Sequence, residues 1–550
     1  MDCQNRLNNI KSWHILFIFL GLSILFYHQA LINFFVSDDF HWLVIARDFH
    51  PSWHIFLTNY EGQTYGGSYN PLLVFIFKFF YSLFDLRYFG YHLVSLLLHG
   101  VNSWLVYLLA KHTFSWTKIK DKKPWAILVG LLFLIWPIQV EIVSWVAAWP
   151  HLWMTLFYFL ALLKYFDFRK NSKKINLFLS FLFFTVALLI KETAISLPFV
   201  IMMLEIYFYS IKEKNKSIPA YTYLTGYFVL LISFLVVRYI AIGLLFGYYG
   251  SHSLNLAAGD WAGNLAVYLG DMVTFGFIRP LMYKAIYYYL APIVIILFSF
   301  LALYFFVLLI KKQWLQFVLF AGFLFMLSPF LITGLHHTTF AGERYMYLSA
   351  SFFLMILVYL LAVLKFSLSI KKIILILFLI LSSSIIYYKS IIWQAAGDLS
   401  RQIVDSYKYI HSPQTNFYLS VGLPDNLSGA EVFRNNLGQA LEIYYKDKAP
   451  EILPTYAYVV VNKENKNKHL LNWRRDNLGW FAESVDGSFV VTGITSIEVN
   501  DVYWELWNYN YQNYMANTIR FIPNSDMRKR IENSEVGIIT VDEGRLRLLK

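Results

Sequence analysis

The chain alternates long apolar runs with short polar connectors. A helix needs about 20 mostly apolar residues to cross the hydrocarbon core of a bilayer. Runs near that length recur about eleven times, at 14–35, 89–110, 125–143, 150–167, 175–190, 193–210, 220–241, 286–310, 314–331, 345–364 and 373–392. The pattern predicts a polytopic α-helical membrane protein, because in lipid a helix satisfies its own backbone polar groups. A further apolar stretch, 71–83, is shorter and is interrupted by Lys78, which predicts a helix lying in the outer interface. From residue 393 the pattern becomes mixed. Strands are expected at 416–421, ending at Pro424-Asp425, and at 456–461, 489–491 and 537–541. Val432, Phe433, Leu437, Ala440, Leu441 and Tyr444 recur at helical spacing. Residues 1–392 are therefore expected to form a membrane domain and 393–550 a small soluble α+β domain, without helical repeats.

Composition agrees. Of 550 residues, 58% are hydrophobic and 15% charged, and the mean hydropathy is +0.50, too apolar for a soluble globule of this length. The net charge of +12 raises the question of a polyanion partner. Its Lys and Arg, however, fall mainly in the connectors 111–123, 169–174, 212–216, 311–312 and 365–372. With the N-terminus inside, every one of these clusters is cytoplasmic, as the positive-inside rule requires. The basicity is read as orientation, and no nucleic-acid partner is expected. The protein is expected to be a multi-pass component of a membrane, a bacterial plasma membrane being the expected setting, with its C-terminal domain on the extracytoplasmic face. Behind Arg6 and Lys11, the first apolar run is too long for a signal peptide and predicts a retained anchor. The lone Cys3 excludes an internal disulfide framework and a multi-cysteine metal site.

On this topology the charged residues of the outer face converge. Asp38 and Asp39 follow the first span in a loop rich in Trp, His and Tyr, and Glu141, Lys191, Glu192, His336, His337, Glu343 and Arg344 approach the same boundary. Ionisable groups near spans are costly and call for a functional hypothesis. The bland alternatives are that Ser37-Asp38-Asp39 only stops a helix and that Lys191-Glu192 is an ion pair at a turn. The chemical reading is a reaction on an anionic lipid headgroup: Lys and Arg hold a phosphate, while a carboxylate takes the proton of an attacking hydroxyl. His336 and His337 beside acids raise a divalent metal as an option, and metal dependence stays open. Tyr248, Tyr249, Trp261 and the run Tyr287-Tyr288-Tyr289 read as an interfacial aromatic belt. Asn426-Leu427-Ser428 fits a glycosylation sequon, a permissive pattern.

These residues carry a resemblance. The acid pair, Asn70-Pro71-Leu72-Leu73, the run Phe89-Gly90-Tyr91-His92-Leu93-Val94 with Leu97-Leu98-His99, Pro137 with Glu141 and Trp145, Lys191-Glu192 before Leu197-Pro198, and Glu343-Arg344-Tyr345-Met346-Tyr347-Leu348 stand in the order found in GT-C glycosyltransferases. Over residues 14–392 the chain resembles the O-mannosyltransferase-like branch that often carries tetratricopeptide repeats, although the repeats do not occur here. The resemblance implies inverting transfer of a sugar, with mannose as one option, from a polyprenyl-phosphate donor to a hydroxyl on a protein or glycan acceptor at the extracytoplasmic face. It implies Asp38 or Asp39 as general base, with Asp38 favoured, Lys191 and Arg344 on the donor phosphate, and Glu141, Glu192, Glu343, His336 and His337 orienting acceptor or cation. Two departures bear on specificity. Relatives often have His-Pro-Val-His before the glutamate, where this chain has Trp136-Pro137-Ile138-Gln139, and His151 stands where an acid is common. A lipid-linked-sugar transporter and a catalytically silent membrane subunit are the competing classes. Transporters tend to place charges near mid-membrane in repeated halves, whereas these charges gather at one boundary.

Overall fold

The computed structural model describes residues 11–63, 67–210, 220–245, 258–279, 292, 296, 299–300, 303–331, 342–364, 366–453, 458–461, 463–468, 470–485, 489–490, 496–499, 501–507 and 515–549. Among these, seven helices are long and apolar enough to cross a membrane: Ser12–Ile32, Tyr88–Ser115, Val146–Asn171, Glu192–Ser210, Tyr221–Ile242, Glu343–Val363 and Ser369–Ile410. Lys122–Leu134 and Pro137–Ser144, meeting at 45°, make an eighth span if counted together, and Pro71–Phe84, Lys174–Ile190 and Trp314–Phe330 are shorter apolar helices. Each predicted run falls on one of these helices except 286–310, much of which lies outside the described residues. The protein is an integral, multi-pass, mostly helical membrane protein. The predicted interfacial stretch is indeed helical, over Pro71–Phe84. Of the predicted aromatic belt, Trp261 is exposed, and Tyr248, Tyr249 and Tyr287-Tyr288-Tyr289 lie outside the described residues.

The bend at residues 135–137 has a chemical cause. Pro137 has no N–H and pushes its predecessor away from helical geometry, and Trp136 is extended at φ −72°, ψ 122°. The carbonyl of Leu134, at the end of the first half, accepts from the Tyr27 hydroxyl at 2.8 Å and from His99 Nε2 at 2.9 Å. A broken span is tolerated when neighbouring helices re-satisfy the freed backbone in this way. His99 Nδ1 in turn meets the Tyr347 hydroxyl at 2.9 Å, so the Leu97-Leu98-His99 motif ties three spans together.

The last membrane helix is a single element of 43 residues, Leu368–Ile410. At 1.5 Å per residue it is about 65 Å long, roughly twice the hydrocarbon thickness. It runs without interruption past residue 392 and carries its polar second half into the C-terminal domain. There Phe417–Ser420 pairs in parallel with Val536–Asp542 and Glu451–Leu453, and Arg545–Leu549 adds an antiparallel edge. A second sheet pairs Leu423–Leu427 in parallel with Tyr458–Val461. A third, wholly antiparallel sheet runs Leu471–Arg475, Trp480–Ser484, Thr518–Pro523, Val502–Trp507 and Ser496–Val499 in spatial order. The predicted strands are thus present, as is a helix, Leu437–Tyr445. Pro424-Asp425 differs from expectation: it lies inside a strand and does not end one. The register shifts between Pro424 and Asn426, and such an irregularity is where a residue without an N–H fits a ladder.

The membrane helices and part of the C-terminal domain share one core. Phe40 stacks on Phe433 with ring centroids 5.7 Å apart and planes at 10°, and Phe34 meets Tyr444 at 5.7 Å. The Ser37 N–H donates to the Val432 carbonyl at 2.7 Å. Beneath this joint, Gly397 of the long helix faces the Phe34 backbone so closely that an added Cβ would lie 2.8 Å from the Phe34 nitrogen. Ser400 Oγ donates to the Phe35 carbonyl at 2.7 Å. The segment leading into the acid pair is therefore held by the long helix and by the C-terminal domain.

Candidate active site

Ser37 turns the chain into the helix Asp38–Asp48 with φ 45° and ψ −118°, a conformation that L side chains disfavour. The turn sends the two acids in different directions. Asp39 is buried; its Oδ2 accepts from the Val36 N–H at 3.0 Å and its Oδ1 from the Ala147 N–H at 2.6 Å. Burial pushes its carboxyl up to about 8, against the pull of those two donors. Asp38 is half-buried and lines a cavity of about 840 Å³.

The other cavity walls come from distant segments. Lys191 and Arg344 line it, together with His151 and the aromatic residues Trp42, Tyr60, Trp145 and Tyr345. Asn70 explains how Lys191 is placed. Its Nδ2 donates at 2.7 Å to the carbonyl of Ile190, the last residue of the helix Lys174–Ile190, one of the carbonyls a helix end leaves without an internal partner. Pro71 follows at the first position of the next helix, where its missing N–H costs nothing. The Asn70-Pro71 motif thus ties the start of one helix to the residue before Lys191.

Arg344 is held by Glu141. The buried carboxylate accepts from the backbone N–H of Gly342 at 3.0 Å and of Arg344 at 2.8 Å, and also pairs with the Arg344 guanidinium. The guanidinium lies over the Trp145 and Tyr345 rings at 4.7 and 4.6 Å. Glu141 therefore orients a protein cation and does not itself line the cavity. Glu343 is buried and pairs with Lys389 at 2.5 Å. Glu192 opens the turn after Lys191, with both carboxylate oxygens buried and within electrostatic reach of Arg238. The structure thus brings Asp38, Lys191 and Arg344 to one cavity and leaves Asp39, Glu141, Glu192 and Glu343 behind its walls. His336 and His337 lie outside the described residues. Among the described residues no group of three or more His, Cys, Asp or Glu is placed to hold a metal ion.

Two contributors escaped the sequence reading. His41, one helical turn after Asp38, lines the cavity and meets the Tyr60 hydroxyl and Glu61 Oε1, each at 3.3 Å; burial lowers its proton affinity. The i, i+3 spacing from Asp38 was the available signal. The C-terminal domain adds Arg434, Asn435 and Asn436 from a turn and Gln439 from the helix that follows it. Arg434 grips Asp425 through Nε at 2.7 Å and Nη2 at 2.9 Å and lies 3.4 Å from Glu431. Glu431 and Asp425 strengthen its hold on its proton, and burial pushes Glu431 up to about 8. No local pattern announced these residues, which meet Asp38 only through the tertiary fold.

No protein-family model matches the chain. Protein O-mannosyl-transferase TMTC1 of Homo sapiens is 30% identical over 216 residues, covering 36% of this chain and 24% of that protein. Protein O-mannosyl-transferase Tmtc1 of Drosophila melanogaster is 33% identical over 130 residues, 24% of this chain and 14% of that protein. The matches thus span a quarter or less of these relatives' own length. A solved structure, ArnT from Cupriavidus metallidurans bound to undecaprenyl phosphate, covers 80% of this chain and 85% of its own at 11% identity, with a TM-score of 0.34; at that score individual residues are not equated. By sequence, the chain is similar over the matched stretch to protein O-mannosyl-transferases.

Proposed function

We propose that the protein is a glycosyltransferase that moves a sugar, with mannose the first candidate, from a polyprenyl-phosphate donor to a hydroxyl of a protein or glycan acceptor on the outer face of the membrane. One observation carries this reading: a single cavity is lined by Asp38, Lys191 and Arg344 together. The names of the matched relatives support the sugar and the acceptor class.

In this mechanism the acceptor hydroxyl attacks the anomeric carbon while the bond from that carbon to the phosphate oxygen breaks. The hydroxyl proton passes to the Asp38 carboxylate. The charge released on the phosphate meets Lys191 and Arg344, groups already in place before the reaction. A single displacement inverts the anomeric centre. Asp38 is the base because Asp39 is buried and bound to two backbone N–H groups. Glu141 fixes the Arg344 guanidinium, and the Trp and Tyr rings of the wall offer apolar faces to a sugar ring.

The test is turnover by purified protein in lipid of a small panel of radiolabelled polyprenyl-phosphate sugars that includes mannose, followed by assignment of the product's anomeric configuration. Inverted product from one donor is expected. A product of retained configuration would contradict the single displacement, and binding without turnover of any donor would move the weight to a transporter or a silent subunit.

A further inference from the structure

Asn436 stands immediately before the helix Leu437–Tyr445 and does not cap it. An asparagine at that place ordinarily turns its side-chain oxygen onto an N–H of the first helical turn. Here no side-chain cap bond forms, and the backbone is left-handed at φ 71°, ψ 23°. The amide instead reaches a carboxylate 398 positions away in the chain: Nδ2 donates to Asp38 Oδ1 at 2.8 Å.

The turn that carries Asn436 is fixed on both sides of this bond. Arg434 locks it to Asp425 through two hydrogen bonds. Phe433 stacks on Phe40, two residues beyond Asp38, and the Val432 carbonyl receives the Ser37 N–H, one residue before it. Both the donor and the acceptor of the bond are thus held by contacts between the same two segments. A geometry that forgoes a helix cap and adopts a disfavoured backbone to meet one carboxylate is the kind of local cost that collects at functional sites.

We propose that Asn436 is a positioning residue for Asp38. By holding Oδ1 it sets the rotation of the carboxylate and leaves Oδ2 to face the acceptor hydroxyl, so the outer domain is part of the active site and not an appended binding module. The inference rests on the transferase reading above, since it gives Asp38 the role of base.

Asn436→Gly tests it. Glycine suits a left-handed backbone and has no amide, so the variant keeps the turn and loses only the donor. Asn436→Asp places a second carboxylate against Asp38. With polyprenyl-phosphate mannose as the probe, Asn436→Gly is expected to lower kcat between about 10- and 100-fold, with the donor KM within about twofold because no contact to the donor phosphate is removed. Asn436→Asp is expected to be at least as impaired in kcat, again with the donor KM within about twofold of wild type. Wild-type kcat in Asn436→Gly would overturn the inference and leave the transferase reading standing. A rise in donor KM that matches the fall in kcat would also overturn it, as the mark of a merely structural role. No turnover by the wild type of this or any other donor would remove the reading itself, and the inference with it.

Discussion

Glu141 holds Arg344 by its backbone and by its side chain at once, accepting the Arg344 N–H at 2.8 Å and pairing with its guanidinium. The carboxylate is 2% exposed and the guanidinium 18%, so the pair is sheltered from solvent screening on one side and opens to the cavity on the other. The pairing fixes a cation at the cavity wall, where the proposed mechanism needs one for the donor phosphate.

Removing the carboxylate's charge leaves that cation uncompensated. Glu141→Gln preserves shape and is expected to cost about 3 kcal/mol, at the low end for a broken buried pair because Arg344 keeps some exposure. It is also expected to raise the donor KM more than it lowers kcat. Thermal unfolding in detergent and steady-state kinetics check the two parts separately; an unchanged melting temperature would refute the structural role of the pair.

Stability has a pH signature. Asp39 is raised from 3.8 to about 8 by burial, and Glu431 from 4.5 to about 8, also by burial. Between the ordinary and the raised values the folded protein keeps protons that the unfolded chain has released. The stabilisation is fully present below pH about 4 and is lost as pH rises through about 8. Melting temperature is therefore expected to fall between pH 5 and pH 9, roughly the window set by those two limits, and to fall less steeply in Asp39→Asn. A melting temperature that rises across this window, or an identical slope in the variant, would contradict the placement of Asp39.

Ser37 bears a backbone that glycine accepts at no steric cost. Ser37→Gly is expected to melt at or slightly above the wild-type temperature, since relief of the strain offsets the entropy glycine loses on folding. Ser37→Val is expected to lose about 1–3 kcal/mol, because a β-branched residue resists positive φ. Calorimetry of both variants decides the matter, and a Ser37→Gly protein less stable than Ser37→Val would show that the turn is not strained.

Much of this organisation was legible in the chain. Spans are set by length and apolarity, both local properties, and the membrane helices fall where the runs predicted. The grouping of Asp38, Lys191 and Arg344 followed from topology, because residues at the same end of successive spans are forced to one boundary. What could not be read is the separation of Asp38 from Asp39: it depends on the φ angle of Ser37 and on donors from Val36 and Ala147. Nor could the buried pairings of Glu141 with Arg344 and of Glu343 with Lys389 be read from the chain, since each joins segments far apart in it. The course of the 43-residue helix past residue 392 was hidden by its own composition, which turns polar while the helix continues. Asn436 was invisible for a different reason: its partner Asp38 is 398 positions away, and no periodicity encodes that contact.

The most direct measurement compares donor turnover by wild type, Asp38→Asn and Asp39→Asn in lipid, with donor binding followed in the same preparations. Asp38→Asn is expected to bind donor and to lose turnover by about 100-fold or more, the scale of a missing general base, while Asp39→Asn keeps turnover within about tenfold of wild type, the scale of a modest displacement of a neighbouring group. Equal turnover in all three proteins, or loss in Asp39→Asn alone, would contradict the assignment of Asp38 as the base.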